Sequence, residues 1–307
     1  MSGAAQKLPG TIRFLERDWL SSNNVLMFDG EQASLFDTGY YKHAELTDQL
    51  VSTLLADNTR LTRIINTHLH SDHCGGNATL FARHQCQILV PEACVASVQD
   101  WTEQAQNHQD LAQWCERFPV HRGVSPGEVI HAGALDWVAH AAPGHDPTSL
   151  IFFNEQHRIL ISADALWENG FGVIFPEVFG ESGFAEQAAV LDLIESLDPL
   201  LVIPGHGRVF DTPAAALKAA RQRLDALVKS PQRSHRNALK VMIKFLLLDK
   251  EQMTVPALHQ LTQETRIFLV LCELLEMQSP EQATDWAIEQ LIRQSELTRN
   301  GDLICNA

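Results

Sequence analysis

The sequence predicts an α/β protein: two layers of sheet with helices outside, then a helical C-terminal third. Three observations predict it. Short apolar, β-rich runs recur through the first two-thirds of the chain and end in turn residues. Helically spaced segments separate several of them. From Pro213 onward strand signals give way to helices.

Residues 11–15, 24–28 and 33–36 read as strands, and a helix follows in which Leu46, Leu50 and Leu54 recur every four positions. Residues 61–66 read as the next strand, with Gly75-Gly76 releasing the chain a short way beyond it. Residues 87–90 are strand-like. A polar, helix-rich excursion then runs from 92 to about 118, its Trp101, Leu111 and Trp114 expected to pack on the core. Three further strands, 135–139, 158–163 and 200–203, exit into Pro143-Gly144-His145, Asp164 and Pro204-Gly205-His206. Helices are predicted over 214–228, 237–248, 255–261 and 282–295. The last follows Ser279-Pro280-Glu281-Gln282, which has the form of a capping box. Asn300-Gly301, between short apolar arms, predicts a tight terminal hairpin, so the C-terminal third reads as winged-helix-like.

One heptapeptide concentrates the chemistry. Thr67-His68-Leu69-His70-Ser71-Asp72-His73 places three imidazoles and a carboxylate at the end of a strand. His68 and His70 leave an extended segment on the same side, whereas Asp72 and His73 converge on them only if the chain turns. Imidazole with carboxylate suits zinc and also iron or manganese, so the pattern describes a divalent-metal site. The exits that deliver His145, Asp164 and His206 repeat the arrangement, one metal-binding side chain after each apolar run.

With these motifs the chain resembles the metallo-β-lactamase superfamily, over roughly residues 11 to 210. The resemblance implies a four-layer αββα sandwich over residues 1–212 and a helical, winged-helix-like domain over 213–307. It implies that His68, His70 and His145 hold one metal and Asp72, His73 and His206 a second, with Asp164 bridging and Asp72 also catalytic. Asp37, in Leu35-Phe36-Asp37-Thr38-Gly39, matches the family's first motif, where the carboxylate supports the site from behind. Two divalent ions are therefore expected, zinc before iron or manganese. Such a pair lowers the pKa of a shared water and supplies a bridging hydroxide near neutral pH.

The expected reaction is hydrolysis of a small ester, thioester or lactone-like substrate, with glyoxalase II the nearest well-known relative by its metal motifs. The segment after Asp164 is acidic and aromatic, with no Lys or Arg until Arg208, so the basic grip that glyoxalase II uses for glutathione is not matched there. Trp167 and Phe171 in that segment are expected at the substrate rim. Ser234-His235-Arg236-Asn237, opening the helical third, resembles a subgroup that includes single-strand endoribonucleases. This gives a phosphodiesterase as the alternative, and a non-enzymatic interaction protein as a third class.

Composition narrows the partners. A net charge of −15, from 23 basic and 38 acidic residues, disfavours nucleic acid. The first residues lack a signal-peptide core and there is no membrane-length apolar run, so a cytoplasmic protein acting on a small molecule is expected, a homodimer being compatible. The six cysteines show neither finger nor redox spacing and read as reduced thiols, with Cys74, beside His73, set apart by its position.

Overall fold

The computed structural model describes residues 3–307. Its first sheet runs in chain order through Ile12–Leu15 (β1), Asn24–Asp29 (β2), Gln32–Phe36 (β3), Arg60–Ile65 (β4), Gln87–Pro91 (β5) and Arg122–Val124 (β6). Pairing is antiparallel up to β3 and parallel from there to β6. The second sheet contains Val129–Ala132 (β7), Leu135–Ala141 (β8), Leu150–Asn154 (β9), Ile159–Ala163 (β10) and Leu201–Pro204 (β11), in the order β11-β10-β9-β8-β7. Only the β10–β11 pair in it is parallel.

On the central strands adjacent apolar residues serve opposite faces, which is why these strands read as continuous runs rather than alternations. Met27, Phe36, Ile65, Leu89, Phe152, Ile161 and Ile203 meet between the sheets. Their chain neighbours Leu26, Leu35, Ile64 and Ile88 face a helical layer built from Ala44–Leu54 (α1), Ser71–Cys74 (α2), Asn77–His84 (α3), Val95–Asp100 (α4) and Thr102–Asp110 (α5). Ile151, Leu160 and Val202 face the opposite layer. There the short Phe175–Val178 (α6) is followed by Phe184–Leu197 (α7) and Pro213–Lys229 (α8), which cover the second sheet. The four layers of an αββα sandwich follow directly.

Helix α1 forms where its leucines recur, but on a different inner face. Its buried residues are Ala44, Thr47, Asp48 and Val51, while Leu46 is 45% exposed. Polar partners decide the orientation: Thr47 Oγ1 donates to the Thr38 carbonyl at 3.1 Å, and Asp48 pairs with Arg83 and with His84 at 2.7 Å. The 92–118 excursion is helical only to Asp110. Trp101 packs on Phe118, with centroids 5.3 Å apart, as a core tryptophan should; Trp114 is 52% exposed and does not.

The remaining helices are Pro231–Lys250 (α9), Val255–Glu264 (α10), Arg266–Leu274 (α11) and Pro280–Arg293 (α12). They share one core with a small sheet of Gln252–Thr254 (β12), Leu303–Asn306 (β14) and Leu297–Asn300 (β13). Ser279 caps α12, its hydroxyl accepting from the Gln282 amide at 3.3 Å. The hairpin turns one residue later than Asn300-Gly301 suggested: Asn300 pairs with Leu303, leaving Gly301 and Asp302 as the loop, with Gly301 at φ +60°. Because α8 packs in the core of the second sheet, we propose a division at Ser230, between α8 and α9, in place of the one expected after residue 212.

Candidate metal centre

Every donor predicted from the sequence lies at or beyond the C-terminal end of a strand: Asp37 after β3, His68 to His73 after β4, His145 after β8, Asp164 after β10, and His206 after β11. The fold brings seven of them into two groups. In each, the ligand atoms lie within 4.8 Å of one another: His68, His70 and His145 in the first, and Asp72, His73, Asp164 and His206 in the second.

Asp164 connects the groups. Its Oδ2 is 3.5 Å from His145 Nε2 and 3.8 Å from His206 Nε2, and its Oδ1 is 3.4 Å from His73 Nε2. The residue before it, Ala163, adopts φ +46° where β10 shifts register against β11, a conformation that costs an L-residue energy and swings the next side chain out of the strand pattern. Gly205 makes room for it, since a Cβ there would stand 2.1 Å from Asp164 Oδ1.

His68, His73 and His145 each have one ring nitrogen engaged by a neighbour, which leaves the other to the site. His73 Nδ1–H donates to Asp37 Oδ2 at 2.8 Å, and His145 Nδ1–H to the Val173 carbonyl at 2.5 Å. His68 Nδ1 lies 3.1 Å from Thr67 Oγ1. This leaves His68 Nε2 3.1 Å from His70 Nδ1, and His70 Nδ1 2.7 Å from His145 Nε2. His206 Nε2 is 3.1 Å from Asp72 Oδ2, and its ring is stacked on Trp19 at 5.4 Å and 6°. Asp37 also accepts from the Thr67 amide and hydroxyl, both at 2.8 Å, so it stands behind the donors and locks His73.

The donor set fits a pair of divalent cations. His73 Nε2 is buried without a hydrogen-bond partner, between the carboxylates of Asp164 at 3.4 Å and Asp72 at 4.0 Å. Electrostatics agree. Burial lowers the pKa of His68 well below the ordinary value and that of His145 to about 4, aided by neighbouring imidazoles, so both are neutral and able to ligate at pH 7. Burial alone pushes His73 the same way, but Asp164, Asp37 and Asp72 outweigh it and hold its pKa well above the usual value. Burial likewise opposes ionisation of Asp164, and His73, His206 and His145 reverse it, keeping that carboxyl well below its usual range.

Two cavities meet at His70 and His145. One, of about 110 Å³, is lined by Trp19, Trp167, Val241, Met242 and Phe245. The other, of about 480 Å³, carries Glu103, Asp110, Asp146, Glu181 and Arg266 on its walls. Phe175 belongs to both, with its ring 5.2 Å from His70 and 5.6 Å from His145. Trp167 lines the small cavity, its Nε1–H donating to Asp164 Oδ1 at 3.2 Å. Phe171 is fully buried in the core beneath and contributes only to the wall. Trp19 and the α9 residues were not visible as site residues in the sequence, because no local pattern distinguishes them from core or surface positions, and Phe175 lies in the aromatic segment after Asp164 without having been singled out from it.

This arrangement, αββα layers with His and Asp donors at the strand ends, is that of a metal-binding sandwich enzyme class. The chain belongs to the metallo-beta-lactamase superfamily, whose family model matches residues 17–206. Among curated relatives, a hydroxyacylglutathione hydrolase of Rhodopseudomonas palustris (strain BisB5) is 28% identical over 126 residues, 41% of this chain and 42% of that protein. One from Idiomarina loihiensis is 25% identical over 223 residues, 72% of this chain and 73% of that protein. The chain thus spans well under half the length of the Rhodopseudomonas relative. A solved metallo-beta-lactamase family protein from Thermus thermophilus shares the fold with a TM-score of 0.56 at 18% identity, covering 98% of this chain and 99% of that one. Among the described residues no helix is long and apolar enough to cross a membrane.

Proposed function

We propose that the protein is a dinuclear metal-dependent hydrolase of small, uncharged ester, thioester or lactone-like substrates. The observation that carries this is Asp164, whose two oxygens reach donors of both groups. His68, His70 and His145 would hold one cation, Asp72, His73 and His206 the other, and Asp164 both, with zinc the ion best matched to nitrogen and carboxylate donors. Two such ions, when bound, supply an activated water near neutral pH and a positive field for the oxyanion.

The chain's own residues supply the rest. Asp37 fixes His73 with Nε2 forward, and Val173 does the same for His145. Asp72 lies on the cavity wall with its pKa below the usual carboxylate range: burial opposes ionisation, but His73 and His206 outweigh it. It is therefore ionised and placed to accept the proton and pass it to the leaving group. The aromatic cavity by Trp19, Trp167 and Phe245 takes an apolar acyl part and excludes water from it. The larger cavity has four carboxylates against one arginine, and that arginine is paired with Asp110 at 2.8 Å, so a polyanionic leaving group is repelled. Charge thus favours neutral electrophiles over phosphodiesters.

The test is a panel of thioesters, lactones, esters, phosphodiesters and β-lactams, run on the metal-loaded protein, the chelator-stripped protein, and His70→Ala and Asp164→Ala. Turnover of the neutral carbonyl substrates should disappear on stripping, return on reloading, and be absent from both variants. Turnover confined to phosphodiesters would overturn the reading.

A further inference from the structure

A third group of side chains able to hold a metal lies outside the seven. Cys74, His108 and Cys115 are all buried, and each offers a ligand atom within 4.8 Å of the others. We propose that these three residues form a separate structural site for one thiophilic cation, zinc by its donor set, which pins the 102–118 excursion to α2.

The imidazole is prepared for it. His108 Nε2–H donates to the Leu69 carbonyl at 3.0 Å, which leaves Nδ1 as the lone-pair nitrogen, and Nδ1 is buried with no hydrogen-bond partner. Backbone capture of one ring nitrogen is how metal-ligating histidines are held in the right tautomer. The sulfurs are spaced for it as well. Cys74 Sγ and Cys115 Sγ are 3.8 Å apart, and two thiolates on a tetrahedral zinc with Zn–S of about 2.3 Å are separated by about 3.8 Å. Binding exchanges the two thiol protons for the cation.

The placement gives the site a purpose. Cys74 ends α2, directly after Asp72 and His73; His108 is on α5; Cys115 lies in the irregular stretch that follows it. That excursion supplies Gln113 to the small cavity and Gln104, Asn107 and Leu111 to the large one. Its stretch from Leu111 to His121 has no regular secondary structure, and Ser71 Oγ donates to Gln113 Oε1 at 2.5 Å across the same junction. A cation there fixes one wall of both cavities to the helix that carries the catalytic donors.

The site is independent of the hydrolytic centre, and cobalt(II) distinguishes them. Reduced protein reloaded with cobalt should show a thiolate-to-cobalt charge-transfer absorption, which the His and Asp donors of the main centre cannot give. Native mass spectrometry of the zinc-loaded protein should count three ions. In Cys115→Ser the absorption and one ion should be lost, while the other two ions and hydrolytic turnover remain and proteolysis within 102–118 quickens. In His70→Ala the absorption should persist. Reduced, cobalt-loaded wild type with no such absorption and at most two ions would overturn the proposal, as would a band unchanged in Cys115→Ser. A Cys74–Cys115 disulfide in the isolated protein, with no band after its reduction, would also overturn it. The wild-type spectrum decides even if the variant fails to fold.

Discussion

Asp37→Asn isolates what a carboxylate behind the metal donors contributes. Both Asp37 oxygens accept from N–H groups: Oδ1 from the Thr67 amide and Oδ2 from His73 Nδ1, each at 2.8 Å, with the Thr67 hydroxyl also on Oδ2. An amide has one acceptor oxygen. Whichever way it turns, its NH₂ faces either the Thr67 amide or His73 Nδ1–H, and relief in the second case comes from moving the His73 proton to Nε2, the atom that must ligate. The backbone is not at issue, because Asp37 sits at φ +54°, a conformation Asn accepts as readily. Loss of such a supporting partner weakens metal affinity by about 10- to 100-fold, or ~1.4–2.7 kcal/mol. Competition against a chromophoric chelator should show this loss at one equivalent only. The ion on His68, His70 and His145 should keep its affinity, and turnover should fall at limiting metal and recover partly at excess. Two equivalents with wild-type affinity in Asp37→Asn would refute the reasoning.

Gly205→Ala places a methyl 2.1 Å from Asp164 Oδ1; overpacking of this kind costs about 1–3 kcal/mol, and the variant should melt lower and bind fewer ions, which metal analysis after refolding measures. Trp19→Ala removes the ring stacked on His206 and should raise KM for apolar substrates about 3- to 10-fold with metal content unchanged; an unaltered KM would remove Trp19 from the binding wall. For pH, His73 in the metal-free protein has its folded pKa raised above 6.5, so its stabilisation is complete below 6.5 and lost as pH rises through the folded value. Asp164 acts in the opposite sense, its contribution present above 3.8 and lost as pH falls through its depressed folded value. Melts of stripped protein should therefore weaken from neutral into alkaline pH while loaded protein does not; stripped protein that strengthens over that range would contradict the pairing.

Much of the frame was legible because it is local. Strands β3, β4, β8, β10 and β11 announced themselves as apolar runs closed by turn residues, and the donors at their exits were conspicuous because imidazole and carboxylate are out of place there without a task. β9 was not picked out, although all five of its residues are buried, since its Leu-Ile-Phe-Phe run follows His145 without a motif of its own. The face of α1 was misleading for a different reason. Its leucines repeat every turn, yet Thr47 and Asp48 have partners at Thr38, Arg83 and His84, and those contacts outweigh burial of Leu46.

By itself the sequence determined the order of the strands that carry donors, several of the helices, and the residue types that could hold metal, since periodicity, turn chemistry and ligand softness act within a few positions. Only the tertiary structure decided which nitrogen His68, His73 and His145 present, how Asp72 meets His206, and that Trp19 and α9 line the cavity. Those outcomes depend on hydrogen bonds and packing between residues tens to hundreds of positions apart, such as Asp37 with His73 and Asp72 with His206, and no local pattern encodes them.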